Sequence, residues 1–290
     1  MVVLSRPSPT RSLRLVSLNV NGLSSAAKRR ALFARLCELK HDIIVLQETH
    51  CDGDATADAW LRSGAGAGRP WGGKALWSHG QKGSRGVAIL FRPGFPATDL
   101  KAAYTQAASA TDTMSGRVLR VGWGDPQTGQ HWSVVAAYAP NSDADQQLFY
   151  ADSGPLAAAL RAEPPDSNVL LAGDFNCVLD AHDSSATGAT AQAAALGAGA
   201  LRSLLTRFGL HDAWQQHRAR SPAARDAQYT YWATKGGTAR RLDRVYASAT
   251  LLGKSQLLSC RHLALGDLPG DHSPVELSLA VEGVASTNPP

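Results

Sequence analysis

The segment Asn168–Asn176 has the sequence NVLLAGDFN. Its continuous apolar run, closed by a glycine, predicts a strand over Asn168–Ala172 that is buried on both faces. Asp174 and Asn176 follow at the carboxyl end of that strand. Because side chains at the carboxyl ends of strands in open α/β sheets converge on ligands, this segment indicates both a fold class and the place of a site.

Apolar runs of the same kind recur on both sides of this segment along the chain. The runs that predict further strands are Leu13–Val20, Asp42–Gln47, Gly86–Phe91, Val118–Trp123, Trp132–Tyr138, Tyr229–Trp232, Arg241–Tyr246, Leu257–Leu263 and Pro274–Leu279. The spacing of apolar residues predicts helices over Ser25–Lys40, Ala144–Arg161 and Ala193–Phe208. Ala55–Gly73 and Ala181–Ala200 have little structural signal and are predicted to be surface loops, the second leading into a helix. Strands that alternate with helices predict a layered α/β domain.

The composition predicts one domain with a large core. The chain has 290 residues, of which 44% are hydrophobic, and this is enough to bury such a core. We expect residues 1–12 to be an N-terminal extension, residues 13–280 to form the domain, a monomer when isolated, and residues 281–290 to be a C-terminal linker. The apolar runs are too short to cross a bilayer, and residues 1–12 do not resemble a secretory signal. An intracellular protein without a membrane partner is therefore expected.

The cysteines and the net charge are less informative. Cys37, Cys51, Cys177 and Cys260 lack the paired short spacing of zinc knuckles or disulfide frameworks and are predicted to be reduced thiols. A net charge of +5 favours polyanionic partners, although many basic proteins bind no nucleic acid. The charge permits a nucleic-acid partner without identifying one.

Polar side chains that can bind a metal ion or a phosphate follow or begin several predicted strands. They are Asn19, Glu48, Asp174 with Asn176, Asp243, and the pair Asp271 and His272. Mg²⁺ prefers oxygen ligands and is usually held by one or two carboxylates, which suits Glu48. Hydrolysis of a phosphodiester also needs an activated water, a group that stabilises the phosphorane and a carboxylate that orients that group. Asp174, His272 and Asp243 can fill these roles in that order.

Each of these residues also has an ordinary structural interpretation. Asn21 precedes a glycine in a common turn dipeptide, and a glutamate such as Glu48 usually ends a strand in solvent. Asp174 can bond nearby backbone amides in a tight turn, His272 can cap an element, and Tyr138 can be a half-buried aromatic at a sheet edge. Taken singly, these interpretations are as good as the functional ones. The joint occurrence of the residues in this order favours the functional interpretation.

In these segments the sequence resembles the endonuclease/exonuclease/phosphatase superfamily, which includes exonuclease III, abasic-site endonucleases and the endonuclease domains of LINE-type (non-LTR) retrotransposons. The matching segments are Ser17–Leu23, Leu46–His50, Tyr138–Asn141, Gly173–Asn176, Arg241–Arg244 and Asp271–Pro274. The resemblance implies a DNase-like fold, which is a four-layer α/β sandwich. In it, two mixed β-sheets pack face to face with helices outside, and the active site lies at the edge of the sheets.

The resemblance also implies a role for each site residue. The implied catalytic residues are Asp174, Asn176, His272, Asp243 and Tyr138. The implied ligands of Mg²⁺, for which Mn²⁺ is a substitute, are Glu48, Asn19 and Asp271. The implied contacts to double-stranded DNA are Asn21, Asn141, Thr230, Lys235, Arg240 and Arg241. The implied products are a 3′-hydroxyl and a 5′-phosphate.

Several positions resemble the LINE branch more than the repair branch of the superfamily. His50 and Ser24 stand where repair enzymes of the exonuclease III type have lysine and arginine. Arg240 stands where one class of repair enzyme has a tryptophan that helps to form the abasic-site pocket. A flipped abasic sugar would lose that apolar wall, so these differences favour a LINE-type endonuclease.

The segment Trp232–Leu242 is expected to form a hairpin with Lys235–Gly237 as its turn. By the resemblance, this hairpin contacts DNA near the nick, and Thr230 lies close to the scissile strand. One departure is that LINE endonucleases often have an Asp-Arg pair after Gly-Asp-Phe-Asn, whereas Asp183 is followed by Ser184 here. This difference predicts the loss of one phosphate contact, which affects substrate positioning more than catalysis.

The leading hypothesis is a nuclear endonuclease that nicks one strand of target DNA. The nick primes target-primed reverse transcription of a retrotransposon by a reverse transcriptase domain fused C-terminally, beyond Pro290. The alternative is a stand-alone DNA repair enzyme of the abasic-site endonuclease or exonuclease III type. A catalytically inactive DNA-binding relative is disfavoured by the intact Glu48, Asp174 and His272. A lipid or inositol phosphate phosphodiesterase of the same fold is disfavoured by the motifs, which resemble those of nucleases.

Overall fold

The computed structural model describes residues 10–63, 70–81, 83–104, 113–126, 128–164, 166–193, 195–221, 228–233, 237–254, 256–264 and 270–282. The strands are β1 (Thr10–Asn19), β2 (Ile43–Gln47), β3 (Ala75–Ser78), β4 (Val87–Phe91), β5 (Thr98–Tyr104), β6 (Val118–Gly124), β7 (His131–Tyr138), β8 (Asn168–Asp174), β9 (Leu210–Asp212), β10 (Tyr231–Trp232), β11 (Ala239–Arg240), β12 (Asp243–Ser248), β13 (Gln256–His262) and β14 (Val275–Glu282). The α-helices are α1 (Ala26–Leu39), α2 (Asp54–Ser63), α3 (Asp143–Tyr150), α4 (Pro155–Arg161), α5 (Ala189–Ala193), α6 (Leu196–Arg207), α7 (Ala213–Arg220) and α8 (Ala249–Lys254), and Ala181–Asp183 form a 3₁₀ helix.

The predicted strands are all present, with ends shifted by no more than a few residues. The strand β1 begins at Thr10 and β14 ends at Glu282. Residues 10–12 and 281–282 therefore belong to a sheet and not to the expected extension and linker. The helix α1 begins after Ser25, whose side chain accepts a hydrogen bond from the backbone N–H of Lys28, as expected of an N-cap.

One predicted helix is divided in two, and another begins later than predicted. The segment Ala144–Arg161 forms α3 and α4, because Pro155 at the start of α4 lacks an N–H and its ring clashes with a preceding helical turn. The segment Ala193–Phe208 spans the end of α5 and the whole of α6. The prediction of a loop over Ala55–Gly73 is wrong, because most of its first half is α2.

The strands form two mixed sheets, which we call the first and the second sheet. The first sheet has six strands in the order β13-β14-β1-β2-β4-β3, and the second has six in the order β5-β6-β7-β8-β12-β9. The neighbours β1 and β2 are parallel, as are β7 and β8, and the other neighbours are antiparallel. The short strands β10 and β11 form a separate hairpin, as predicted for Trp232–Leu242.

The core follows from the alternation of side chains along each strand. On β1, Leu13 and Leu15 point into a core between the two sheets, whereas Val16 and Leu18 pack toward α1 and α2. A third cluster packs α3, α4 and α6 against the outer face of the second sheet. Each aliphatic side chain fully buried in this way stabilises the fold by about 1.5–3 kcal/mol. The order helix, sheet, sheet, helix confirms the four-layer α/β sandwich.

Two further expectations concern the state of the cysteines and the absence of a membrane-spanning segment. The four cysteines are free thiols; Cys37 is exposed and the others are buried. Within the described ranges, no helix combines the length and the apolar character that a bilayer span requires.

Candidate active site

The carboxyl ends of two parallel strand pairs meet at one edge of the sandwich. In the first sheet, Asn19 of β1 lies beside Gln47 of β2, and in the second sheet, Tyr138 of β7 lies beside Asp174 of β8. The first residue of the antiparallel β12, Asp243, is also a partner of Asp174. The strand register therefore brings polar side chains from both sheets to one cleft.

Asn19 joins the two sheets at this edge. Its Nδ2 donates to Glu48 Oε1 at 2.8 Å and to Asp174 Oδ2 at 2.9 Å. Its Oδ1 accepts from the backbone N–H of Asn21 at 2.9 Å, so the amide nitrogen, and not the oxygen, faces the carboxylates. In this orientation the amide nitrogen offers no ligand atom, because its lone pair is delocalised into the carbonyl group, and the predicted role of Asn19 as a metal ligand stays a prediction. Asn19 holds Glu48 and Asp174 in place.

The turn after β8 fixes the position of Asp174. The Asp174 side chain is buried, and its Oδ1 accepts from the backbone N–H of Asn176 at 2.9 Å. Asn176 has a φ of 47°, a left-handed conformation that asparagine tolerates better than most residues. Its Nδ2 donates to the carbonyl of Ala139 at 2.8 Å. A Cβ at Gly173 would lie 1.9 Å from the carbonyl oxygen of Ala137, so only glycine allows β8 to lie this close to β7.

Glu48 lies directly after β2 in a strained backbone conformation. Its φ of 51° is rare for a residue other than glycine, asparagine or aspartate, and such strain persists only where the surroundings enforce it. Tyr138 lines the same cleft as Glu48, and His50 Nε2 lies 3.4 Å from Glu48 Oε2. Burial raises the pKa of Tyr138, and the charge of Glu48 raises it further. Tyr138 therefore keeps its proton and offers a hydroxyl donor to the cleft that Glu48 also lines.

His272 and Asp243 form a buried hydrogen-bonded pair. His272 Nδ1 lies 2.8 Å from Asp243 Oδ2, and the ring of Tyr231 packs on the imidazole with centroids 4.9 Å apart. Burial alone lowers the pKa of His272, but the charge of Asp243 and the hydrogen bond to it raise the pKa to about 10. The imidazole is therefore protonated at neutral pH. Its Nδ1–H donates to Asp243, which leaves Nε2–H as the second donor of the ring.

Asp174 can accept a proton, whereas its neighbour His272 carries protons that it can donate. Burial raises the pKa of Asp174, and the Asp243 carboxylate raises it further, whereas the positive charge of His272 lowers it. A carboxylate with a raised pKa accepts a proton more readily than an ordinary one, provided that it is ionised at the working pH. The cleft thus places a base beside a cationic donor, which is the arrangement that acid and base steps of hydrolysis require.

The cleft offers two groups of side chains as metal ligands. Among the described residues, Asp174, Asp243 and His272 have ligand atoms within 4.8 Å of one another. This group is the poorer match, because a protonated His272 has no lone pair for a metal ion. Glu48 and Asp271 line the same cleft and offer carboxylate oxygens, the ligand type that Mg²⁺ prefers. The donor set at Glu48 and Asp271 therefore fits the expected ion.

Of the residues expected to contact DNA, some line the cleft and others are buried. Asn21, Asn141 and Arg240 line the cleft, whereas Lys235 lies outside the described residues. The prediction of a DNA contact for Thr230 is wrong, because its side chain is fully buried at 0% exposure. The corresponding prediction for Arg241 is wrong for the same reason.

Arg241 belongs to a buried ionic network behind the hairpin. Its Nε donates to Asp183 Oδ1 and its Nη1 to Asp212 Oδ2, each at 2.6 Å. Arg244 donates to the other oxygen of Asp183 at 2.9 Å. Ser184, where LINE endonucleases often have arginine, is buried and forms a β-bridge with Arg240. The network therefore anchors the segment after β8 to the base of the hairpin.

The cleft also contains functional candidates that the sequence did not reveal. Lys28 Nζ donates at 2.9 Å to the carbonyl of Asn21, which lines the cleft. Gln146 Nε2 donates to the carbonyl of Asn176 at 2.9 Å and so supports the turn after β8. Tyr231 packs on the imidazole of His272. Lys28 and Gln146 lie within predicted helices and Tyr231 lies inside a predicted strand, so they lack the strand-end position that identified Glu48 and Asp174.

Comparison with known proteins agrees with these features. Residues 16–272 match the Endonuclease/Exonuclease/phosphatase family. Over 272 residues the chain is 25% identical to the Transposon TX1 uncharacterized 149 kDa protein of Xenopus laevis, a match that covers 93% of this chain and 18% of that protein. The chain therefore spans less than a fifth of the length of that relative.

Solved structures show the same fold. The AP endonuclease LMAP from Leishmania major has a TM-score of 0.69 at 20% identity, over 93% of this chain and 88% of that chain. An AP endonuclease from Archaeoglobus fulgidus has a TM-score of 0.68 at 21% identity, over 93% of this chain and 99% of that chain. At these identities the likeness establishes the DNase-like fold.

Proposed function

Because the chain belongs to the Endonuclease/Exonuclease/phosphatase family of hydrolases, we propose that it is a Mg²⁺-dependent DNA endonuclease that nicks one strand of its target. The nick leaves a 5′-phosphate and a 3′-hydroxyl, and the 3′-hydroxyl primes target-primed reverse transcription of a retrotransposon in the nucleus. The observation that carries the proposal is the buried His272–Asp243 pair, joined at 2.8 Å, which lies beside Asp174 in the cleft that Glu48 also lines.

The transposon part of the proposal rests on sequence similarity. The transposon protein matches 93% of this chain, and the match covers 18% of that much longer protein. A domain of this kind in a longer polyprotein would act together with a reverse transcriptase domain on its C-terminal side. Its substrate would be double-stranded DNA, and the isolated domain would be a monomer.

The chain's own residues act on the attacking water and on the phosphate, while the bond between phosphorus and the 3′-oxygen breaks and the 3′-oxygen takes a proton from solvent to become the 3′-hydroxyl. Asp174 accepts a proton from the attacking water, while Asn176 lines the cleft beside it and orients the water or the phosphate. The Nε2–H of His272 donates to the phosphate oxygen on which negative charge develops. Asp243 holds the imidazole protonated and oriented for this purpose.

Glu48 and Asp271 are the residues that would hold Mg²⁺. A bound Mg²⁺ supplies further stabilisation of the charge on the phosphoryl oxygens. Asn19 donates to Glu48 and thereby helps to fix the direction of its carboxylate, and Tyr138 lines the cleft beside it. Such orienting bonds make a ligand ready for the ion before it binds.

We propose that DNA binds along the positively charged and amide side chains at the mouth of the cleft. Asn21, Asn141 and Arg240 line it, and Lys235 is the further cationic contact expected from the sequence. Contacts of this kind to phosphates set affinity and register, so the affinity for DNA should fall as salt concentration rises.

A second candidate function is cleavage at abasic sites. It is favoured by the fold, which is shared with AP endonucleases from Leishmania major and Archaeoglobus fulgidus. It is disfavoured by Arg240, which lines the cleft where an abasic-site pocket requires an apolar wall.

One comparison separates the two functions. Purified protein is incubated with Mg²⁺ and either intact supercoiled plasmid or a duplex with a single abasic site, and the initial rates are compared. We expect efficient nicking of the intact plasmid and a product that a DNA polymerase extends from the nick. A strong preference for the abasic duplex would instead support the repair function. The variant His272→Ala serves as the control for a contaminating nuclease.

A further inference from the structure

Thr230 is a buried residue that joins three segments of the chain around the histidine–aspartate pair. Its Oγ1 accepts from the backbone N–H groups of Leu242 and Asp243, each at 3.0 Å. Its carbonyl accepts from the N–H of Ser273 at 2.6 Å, and its own N–H donates to the carbonyl of Arg240 at 2.9 Å. One residue therefore links the base of the hairpin, the start of β12 and the segment that carries the catalytic imidazole.

These bonds act on both members of the pair. Asp243 donates its backbone N–H to the threonine hydroxyl, and Ser273, which directly follows His272, donates its N–H to the threonine carbonyl. Tyr231, which directly follows Thr230, forms a β-bridge with His272. The relative positions of the two partners are therefore set by backbone bonds that converge on Thr230.

The carboxylate of Asp243 depends on this backbone support. Its Oδ2 is bonded to His272, whereas its Oδ1 is buried and has no hydrogen-bond partner within the described part of the chain. No second side-chain donor therefore fixes the direction of the carboxylate among these residues. Its placement has to come from the backbone of Asp243, which the hydroxyl of Thr230 holds.

We propose that Thr230 is a positioning residue, whose hydroxyl holds the backbone of Asp243 so that its carboxylate meets His272. This inference rests on the proposed nuclease function and replaces the direct DNA contact expected from the sequence. A hydroxyl oxygen has two lone pairs and can accept from both N–H groups at once. Without it, two buried N–H groups lose their acceptor, and the chain has to shift to satisfy them.

The first test compares Thr230→Val with Thr230→Ser. Valine keeps the shape and removes the hydroxyl, whereas serine keeps the hydroxyl. We expect Thr230→Val to lower kcat for plasmid nicking by about 10- to 100-fold, as is usual for residues that orient a catalytic group, with little change in KM. Thr230→Ser should retain most of the wild-type kcat. A lost DNA contact would instead raise KM and leave kcat unchanged.

A double-variant cycle tests whether Thr230 acts through His272. In the His272→Ala background, adding Thr230→Val should change kcat by less than about twofold, because the group that it positions is already absent. Ser133→Ala is the matched control, since the buried Ser133 hydroxyl donates to Glu163 at 2.6 Å near the far end of β7. This variant should lower the melting temperature without lowering kcat.

The outcomes distinguish this inference from the function on which it rests. If the wild-type protein does not nick DNA, the proposed function fails. If the wild type nicks DNA, either of two results overturns the positioning role. One is a wild-type kcat for Thr230→Val. The other is a loss of kcat on adding Thr230→Val to His272→Ala that is as large as the loss in the wild-type background. If circular dichroism shows that Thr230→Val does not fold, Thr230→Ala removes the same hydroxyl with less steric strain, and the same expectations apply to it.

Discussion

Asp174 accepts a hydrogen bond at each of its carboxylate oxygens. The donors are Nδ2 of Asn19 and the backbone N–H of Asn176. These bonds favour the ionised form, whereas burial and the neighbouring Asp243 raise the pKa of Asp174 and favour the neutral form. The surroundings therefore fix the geometry of this base while they keep its affinity for a proton high. A buried carboxylate of this kind is useful for catalysis and costly for stability.

Replacing Asp174 with asparagine removes the base and the buried charge but keeps the shape. We expect Asp174→Asn to lower the single-turnover nicking rate by about 10²- to 10⁴-fold, with little change in the Kd for DNA. The melting temperature should stay the same or rise, because an unfavourable buried charge is gone. Asp58→Asn, at an exposed position of α2, is the control and should change none of these quantities. A loss of DNA affinity as large as the loss of rate would show that Asp174 acts in binding.

The sequence allowed the charged centre of the site to be predicted, but not its buried polar supports. Glu48 and Asp174 follow apolar runs, and their positions at strand ends are visible in the sequence. Thr230 and Arg241 are polar residues that are exposed in most proteins. Here they are buried because their partners, which include Asp183 for Arg241, come from segments distant along the chain. Such partners are known only once the strand register is known.

At the scale of secondary structure elements, the close contact between β7 and β8 fixes the positions of the site residues that these strands carry. These parallel strands carry Tyr138 and Asp174 at their ends, and Gly173 precedes Asp174 where the two backbones nearly touch. Any side chain at Gly173 would push the two strands apart. The position of the base therefore depends on one glycine.

Gly173→Ala should destabilise the protein by about 1–3 kcal/mol or more, since a Cβ would collide with a backbone atom that cannot rotate away. Its matched control is Gly199→Ala, because Gly199 lies within α6 and a Cβ there meets nothing within 4 Å. That change should stabilise the protein by about 0.5–1 kcal/mol, because alanine favours the helical backbone. Urea denaturation measures both free energies of unfolding. Equal effects of the two substitutions would contradict the structure of the β7–β8 contact.

The sequences of the individual elements explain why some of them were predicted and others were not. The strands β2, β4 and β8 are continuous apolar runs buried on both faces, so their sequences identify them. The helix α2 was missed because its only fully buried residues are Ala57 and Trp60, and alanine gives little periodic signal. The division between α3 and α4 was missed although Pro155 marks it, because the apolar spacing continues across the break.

At the scale of the whole molecule, the carboxylate of Glu276 connects several segments of the first sheet. Its Oε2 accepts from Arg14 at 2.8 Å and lies 2.7 Å from Nε2 of His41, and its Oε1 accepts from Arg261 at 2.7 Å. The hydrogen bond to His41 lowers the pKa of Glu276, and the bonds from Arg261 and Arg14 lower it further against the effect of burial. Strands β1, β13 and β14 and the segment before β2 are thereby joined.

This network makes a prediction about stability and pH. Because the pKa of Glu276 is lower in the folded than in the unfolded protein, its contribution to stability is fully present above the unfolded value of about 4.3 and is lost as pH falls toward the folded value. At pH 7, Glu276→Gln should therefore reduce the free energy of unfolding by about 1–3 kcal/mol. The difference from the wild type should shrink in urea titrations as pH falls from 5 to 3. Glu38→Gln, at an exposed position, should cause no such pH-dependent difference, and a constant difference for Glu276→Gln would refute this role.

The site itself exists only because the two sheets pack together. Glu48 follows a strand of the first sheet, and Asp174 and Asp243 belong to the second. His272 lies in the segment that precedes β14. Both sheets must therefore be folded and correctly packed for the four side chains to line one cleft.

The central claim is that these side chains form a single Mg²⁺-dependent nuclease site. It is tested most directly by the rate at which supercoiled plasmid is nicked by the wild-type protein, Glu48→Gln, His272→Ala and the double variant, each with Mg²⁺ and with EDTA. We predict that the wild type forms open-circular plasmid only with Mg²⁺, that each single variant is slower by at least about 10²-fold, and that the double variant is slower by far less than the product of the two losses. Wild-type rates in either single variant, or undiminished nicking in EDTA, would contradict the claim.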